Sequence, residues 1–515
     1  MSRFYFYIYK MQKLIGACLL LVFSCTEHHT EIPESKTDFC SSIHRNDSLS
    51  LSKELAPFSG QIKDKTGVYV IEDGGTSLVT RAWLCEYAEK TIDIQYFIFS
   101  TDNVGLIACD YLVRAADRGV KVRILVDDIM VDAGIHEILA MDSHENIEIR
   151  IYNPGCNLGK NIFEKLKQLG SDFHGFNQRM HNKTFTVDGK VVITGGRNIA
   201  DEYFDYDHEF NFRDRDVLFL GKEVSAVQNS FEKFWNDPIC KPVTDLVEDK
   251  DDDFSSPSRY ELLHQYACDP KNFWPQVRER IQKLPEAFKK IRESNAIVWT
   301  DHVKFISDNP GKNREKGFGG ITTDSLINLV KQAKVSVDIQ SPYLITTELG
   351  LNLFRETVKR GVKVRIMTNS LLSNDNLEAF AGYQGCRKQL LEAGVRIFEF
   401  RPDAEERYKI MTGELQQKLN FKPVFGIHAK SMVIDGKITV IGTFNLDPRS
   451  ANLNTECITV IRDEKIAEGV LKGMEEEYKP ENSWETTLTF NPDDKADKKV
   501  RLKTWVKKAV PKEIL

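Results

Sequence analysis

The sequence predicts an α/β protein made of two tandem, similar domains, and two repeated features carry that reading. The first is a spaced pattern: His181, Lys183, Asp188 and Gly195 in one copy, and His428, Lys430, Asp435 and Gly442 in the other. The second lies upstream of each. Ile92-Asp93-Ile94-Gln95 matches Val337-Asp338-Ile339-Gln340, and the run from Arg118 to Ile124 recurs letter for letter from Arg360 to Ile366. The offset is 245 residues from Gln95 to Gln340 and 247 from His181 to His428, so the copies stay nearly in register. A period this long means duplicated domains rather than a solenoid.

Each element follows from local pattern. The β-prone segments ending at Gln95 and Gln340 are followed by stretches with apolar residues three and four apart, Leu106 to Ala116 and Leu349 to Lys359, which predict helices. The Arg-Gly-Val repeats then lead into second strands. Downstream, Thr184 to Val187 and Ser431 to Ile434 are β-prone, each followed by Asp-Gly and another β-prone run, Lys190 to Thr194 or Lys437 to Ile441. Asp-Gly between two such runs predicts a tight hairpin. His and Lys two apart on the first strand face one side. Asp188 and Asp435 fall at the turns and are expected to fix the hairpins rather than to exchange protons.

Two imidazoles and two ammonium groups suit an anionic substrate. Lys183 and Lys430 would neutralise a phosphodiester and the charge developing on its oxygens. Asn198, Thr443 and Asn445 offer amide or hydroxyl donors to the same oxygens, and Gly196 stands where the second copy has Thr443. A neutral imidazole attacks phosphorus while a protonated one donates to the leaving oxygen; histidine's ordinary pKa puts both states within reach near neutrality. This chemistry calls for no metal and no cofactor. A lone histidine on a strand is usually structural. Here the full pattern occurs twice, and the nine other histidines have none of it.

The duplicated His-x-Lys-x4-Asp with its trailing Gly-x-x-Asn resembles the phospholipase D superfamily over about residues 56 to 480. The segments 195–204, 211–217 and 445–456 resemble its bacterial cardiolipin synthase branch. The resemblance implies two α/β/α domains related by a pseudo-two-fold axis around one active site. It also implies that His181 is the nucleophile and His428 the acid, then base, an order that the residues alone leave open. Glu456 lies where the superfamily places a histidine-orienting carboxylate. Asp214 is its counterpart in the first copy, with Glu209 and Asp216 as rivals. Gln95 and Gln340 are weaker candidates for substrate contact, and Arg197 and Arg449 suit either a headgroup phosphate or a loop-bracing ion pair.

Length and composition agree with a large, divided core: 515 residues, 41% hydrophobic and 28% charged. Net charge −6 and a pI near 6.1 lean away from nucleic acid, whose binders carry a basic face. At the N-terminus, Leu14 to Phe23 is apolar and Val22-Phe23-Ser24-Cys25 resembles a lipobox, with Cys25 the lipidated residue and Met11 an alternative start. An uncleaved anchor helix is the other reading. The expected partners are therefore phospholipid substrates and a membrane reached through a lipid anchor in the bacterial envelope. The sequence names no protein partner. The ten cysteines show no metal-ligand spacing, and Cys109, Cys268, Cys386 and Cys457 read as buried thiols.

The expected division is a signal segment at 1–25, a polar tether at 26–55, domains at 56–244 and 301–480, an acidic linker and connecting segment at 245–300, and a tail at 481–515. Within the tail, residues 498 to 515 mix Lys and Arg with Trp505, Val506, Val510 and Leu515, which fits a membrane-surface helix and a docked one equally. The expected function is phosphatidyl transfer to a lipid alcohol, giving cardiolipin through a phosphohistidine. The alternative is a hydrolytic phospholipase D; a nuclease or an inactive lipid-binding scaffold is less favoured.

Overall fold

The computed structural model describes residues 49–128, 135–155, 177–207, 209–246, 257–273, 278, 281, 284–293, 296–312, 319–407 and 423–508. The apolar run, Cys25, most of the tether, most of the acidic linker, Val510 and Leu515 lie outside these residues.

The first half contributes β1 (Thr66–Ile71), β2 (Thr91–Tyr96), β3 (Lys121–Asp127), β4 (Ile147–Tyr152), β5 (Thr184–Val187), β6 (Val191–Gly195), β7 (Phe210–Arg213), β8 (Asp216–Gly221) and β9 (Cys240–Pro242). After the connecting segment come β10 (Val298–Thr300), β11 (Val303–Ser307), β12 (Ser336–Gln340), β13 (Lys363–Asn369), β14 (Arg396–Phe400), β15 (Val424–Ile427), β16 (Ser431–Ile434), β17 (Ile438–Gly442), β18 (Cys457–Arg462) and β19 (Ser483–Thr486). One sheet runs β10-β1-β8-β6-β5-β2-β3-β4-β9 and the other β11-β18-β17-β16-β12-β13-β14-β19. The order β8-β6-β5-β2-β3-β4 in the first recurs as β18-β17-β16-β12-β13-β14 in the second, so the duplication is topological. The connecting segment and the tail each supply an edge strand, β10 beside β1 and β19 beside β14.

The repeated sequence maps onto repeated strand–helix–strand units. β2 pairs in parallel with β3 around the helix Asn103–Asp117, and β12 with β13 around Glu348–Lys359. Asp102 and Thr347 cap the two helices by accepting from the Gly105 and Gly350 amides. At the other end Gly119 and Gly361 take φ of +89° and +86°, and Val120 and Val362 donate back to Ala115 and Thr357. That left-handed stop is why the Arg-Gly-Val letters recur.

The hairpins form as expected. Asp188-Gly189 and Asp435-Gly436 are all left-handed, with φ of 53° and 61°, and 54° and 63°, the signature of a type I′ turn. The Asp188 carboxylate accepts from the amides of Glu89, Lys90 and Thr91, and that of Asp435 from Lys334, Val335 and Ser336. Each aspartate thus ties its hairpin to the start of the neighbouring central strand. One expectation is corrected: the His-x-Lys residues are not on β5 and β16 but in the extended segments just before them. They pair instead with the opposite half. The His181 amide donates to the Thr455 carbonyl at 3.0 Å, and the His428 amide to the Arg213 carbonyl at 2.8 Å.

That exchange is reciprocal, as a pseudo-two-fold axis requires. β7 pairs in parallel with β15, and Met180 bridges in parallel to Thr455. An apolar layer unites the halves beneath it: Val192, Val217 and Phe219 of the first sheet with Phe305, Ile441 and Ile461 of the second. A buried polar network lies beside it, with Arg213 held by Glu477 at 2.6 Å and Arg215 reaching Gln340 at 2.6 Å. Gln340 also bonds Glu477, so it serves the interface. Cys268 is disulfide-bonded, against the expectation of a free thiol, whereas Cys109, Cys386 and Cys457 are free.

Candidate active site

The cross-half pairing places the two histidines where each meets a carboxylate of the other half. His181 Nδ1 lies 2.9 Å from Glu456 Oε2, and His428 Nδ1 lies 2.7 Å from Asp214 Oδ2. Asp214 and Glu456 are therefore set as histidine partners, and the rivals Glu209 and Asp216 are not. Glu209 is exposed, and Asp216 is taken up by Ser77, Arg81 and Arg197. A carboxylate on Nδ1 fixes a neutral imidazole with its Nε2 lone pair free.

All four motif side chains are buried, with relative exposures of 6% for His181, 1% for Lys183, 5% for His428 and 4% for Lys430. Burial, opposed by Glu456, pushes the His181 pKa down to about 4. Burial together with the Lys430 charge takes His428 to about 3. Both rings are thus neutral in the unliganded site. Burial also lowers Lys183 to about 8 and Lys430 to about 7, against the pull of the nearby carboxylates. Burial opposes ionisation of Glu456 and Asp214 too, but His181 and Lys183 hold Glu456 below its ordinary value, and His428 and Lys430 hold Asp214 below its own. The site thus gathers two desolvated lysines, two imidazoles and two carboxylates, with Glu456 and Asp214 the buried counter-charges of Lys183 and Lys430.

The halves differ in chemical detail. Thr443 donates to Glu456, whose other oxygen accepts from Ser450 at 2.7 Å. Gly196 matches Thr443 in the first half, and a Cβ there would stand 2.1 Å from Asp214 Oδ1. The shorter aspartate occupies the space that the threonine fills in the other half. Lys183 bonds the His181 carbonyl at 2.9 Å, whereas Lys430 reaches both the His428 carbonyl at 2.5 Å and its Nδ1 at 2.8 Å.

Of the residues expected to bind phosphate, Asn198 is engaged by the Ile98 amide and the Tyr203 hydroxyl, and Thr443 by Glu456. Asn445 is buried and its Oδ1 has no hydrogen-bond partner. Arg197 donates to the carbonyls of Tyr203, Glu72 and Asp214, so it braces the loop. Arg449 donates to Asn177 at 3.0 Å. Gln95 donates to the Met180 sulfur. Sequence reasoning passed over Ser450, and over Phe97, Tyr203 and Phe212, whose rings pack on the two imidazoles at 4.8 to 5.0 Å. Ser450, Tyr203 and Phe212 lie inside the segments 445–456, 195–204 and 211–217 that carry the resemblance, whereas Phe97 gave no local signal. Elsewhere Asp110, His264 and Cys268 come together, but the sulfur is in a disulfide and Arg114 holds Asp110.

Two His-x-Lys hairpins sharing a carboxylate-braced site across a pseudo-two-fold axis define an enzyme of the phospholipase D type. The family model described as "Cardiolipin synthase, PLD-like domain" matches residues 84–235 and again 326–478. The chain belongs to that family. It is 33% identical over 475 residues to cardiolipin synthase C of Escherichia coli K12, covering 90% of this chain and 94% of that one. It is 25% identical over 434 residues to cardiolipin synthase 1 of Bacillus cereus, covering 84% of this chain and 70% of the relative. The crystal structure of phosphatidylserine synthase from Haemophilus influenzae superposes with a TM-score of 0.56 at 13% identity, over 90% of this chain and 100% of the other, a likeness of fold.

Proposed function

We propose that the protein makes cardiolipin by transferring a phosphatidyl group to a lipid alcohol through a phosphohistidine. His181 Nε2 attacks phosphorus and the bond to the first headgroup oxygen breaks. His428, protonated once the bound phosphodiester offsets the lysines' charge, gives that oxygen its proton. It then takes the proton of the incoming lipid hydroxyl, which attacks phosphorus and releases His181. Lys183 and Lys430 neutralise the phosphoryl oxygens throughout, and the Nδ2 amide of buried Asn445 is a further donor to them. Thr443 acts through Glu456 rather than on the phosphate.

The assignment of His181 as nucleophile is supported by its single Nδ1 partner, Glu456, which leaves one tautomer with a free Nε2. His428 Nδ1 is shared between Asp214 and Lys430. Transfer is favoured over hydrolysis by the depth of the site: four motif residues no more than 6% exposed meet little bulk water. The test is mass spectrometry of lipids from cells lacking cardiolipin, with and without this chain. New cardiolipin supports transfer, and phosphatidic acid alone supports hydrolysis.

The same reading places the chain in the bacterial envelope, anchored through a lipidated Cys25. The disulfide at Cys268 fits export to an oxidising compartment, and no helix among the described residues is long and apolar enough to cross a membrane. Mature protein that keeps residues 1 to 24, or a Cys25→Ser variant still membrane-anchored, defeats the lipoprotein reading.

A further inference from the structure

Most of the large apolar side chains that the described residues leave exposed are gathered in one segment. Leu488 and Phe490 follow β19, and Leu502, Trp505 and Val506 lie on the C-terminal helix Lys498–Lys507, with Leu502 62% and Trp505 66% exposed. The helix is docked by its other side. Val500 packs into the core of the second half, Thr504 is buried, and Lys507 pairs with Glu378. Docking therefore leaves outward the residues that a soluble surface would bury.

The same face is basic. The helix reads Lys-Lys-Val-Arg-Leu-Lys-Thr-Trp-Val-Lys and has no acid. Arg501 is paired with Asp494 and Lys507 with Glu378, while Lys498, Lys499, Lys503 and Lys508 are exposed. Bulky apolar groups and a tryptophan ringed by lysines match the boundary between headgroups and acyl chains of an anionic bilayer.

The position of the helix gives that match a consequence. Glu378, the partner of Lys507, opens the helix Leu377–Glu392, three residues after Asp375. Asp375 bonds the Tyr343 hydroxyl and is close enough to feel the charge of Lys430. The Trp505 end of the basic helix thus lies toward the end of the second sheet that carries the catalytic pair.

We propose that the face formed by Leu488, Phe490, Leu502, Trp505, Val506 and the four lysines is a docking surface for an anionic phospholipid bilayer. It sets the active site against the lipid headgroups, separately from any N-terminal anchor. The idea does not depend on which reaction the site performs.

The test uses the full chain reconstituted in vesicles of phosphatidylcholine and phosphatidylglycerol whose acyl chains are brominated near the headgroup. Trp505 fluorescence is read as the difference between wild type and Trp505→Phe. Quenching that weakens when Lys498, Lys499, Lys503 and Lys508 become Gln, or when phosphatidylglycerol is omitted, is the expected result. Each lysine removed should weaken contact roughly fivefold. Unquenched Trp505, or quenching indifferent to lipid charge, overturns the proposal. So does a Trp505 buried by self-association that depends on concentration and is lost in Trp505→Ala. In the Leu502→Ser/Val506→Ser variant, turnover of vesicle substrate should fall at least tenfold while turnover of a short-chain monomeric phosphodiester is unchanged. An equal fall on both overturns it. Wild type inactive on either substrate counts against the enzymatic reading, and the quenching still decides the surface.

Discussion

Glu456 belongs to the second half of the chain, yet it holds Nδ1 of His181, in the first half, at 2.9 Å, while Asp214 of the first half holds His428 of the second at 2.7 Å. Neither half has a complete histidine–carboxylate pair of its own. The candidate site is therefore a property of the assembled pair of domains, and each motif histidine has its carboxylate partner on the far side of the axis.

His181→Ala should remove turnover of every phosphodiester substrate, since on the proposed mechanism it deletes the attacking atom. Wild-type reactions quenched with detergent and kept near neutral pH should yield phosphohistidine at residue 181, located by peptide mass spectrometry. Phosphate found on His428 instead would reverse the roles.

Glu456→Gln should lower kcat by roughly 10²- to 10⁴-fold with KM little changed, because the amide no longer fixes the imidazole tautomer or stabilises its charge. The loss should fall on formation of the phosphohistidine. Asp214→Asn should instead slow leaving-group protonation, so an activated leaving group that needs no proton should rescue Asp214→Asn and not Glu456→Gln.

Gly196→Ala should cost roughly tenfold or more in kcat, because the new methyl would stand 2.1 Å from Asp214 Oδ1 and must displace the carboxylate from His428. The matching change in the other half, Thr443→Ser, keeps the hydroxyl on Glu456 and should be nearly silent. Equal effects from both would contradict the asymmetry of the halves.

Both motif histidines have folded-state pKa values, about 4 and about 3, below their unfolded value near 6.5. Between those limits the unfolded chain binds more protons than the folded one, so stability rises with pH. Tm should accordingly fall as pH drops from about 6.5 to 4, and a His181→Gln/His428→Gln variant should show a flatter dependence over that window. On the alkaline side, kcat/KM should decline as Lys430, near 7, and then Lys183, near 8, lose their protons.

Glu477→Ala should destabilise the fold by about 1–3 kcal/mol in denaturant titration, since it takes from the buried guanidinium of Arg213 one of its two carboxylate partners, Glu72 being the other.

The sequence by itself determined the duplication, the α/β class, the strand–helix–strand units and the Asp-Gly hairpins. Each of these is written in contacts a few residues long: an apolar period, a left-handed glycine stop, a turn that Asp-Gly enters readily. It also singled out His181, Lys183, His428 and Lys430, because a doubled spacing survives without any knowledge of distance. Tertiary structure decided which carboxylate serves which histidine, that Thr443 and Asn198 spend their polar groups inside the protein, and that Gln340 braces the interface. Those outcomes depend on partners about 275 residues apart for His181 and Glu456 and 214 apart for His428 and Asp214. No local pattern encodes such pairs, because they arise only when two folded sheets meet across an axis and exchange the strands that precede their hairpins.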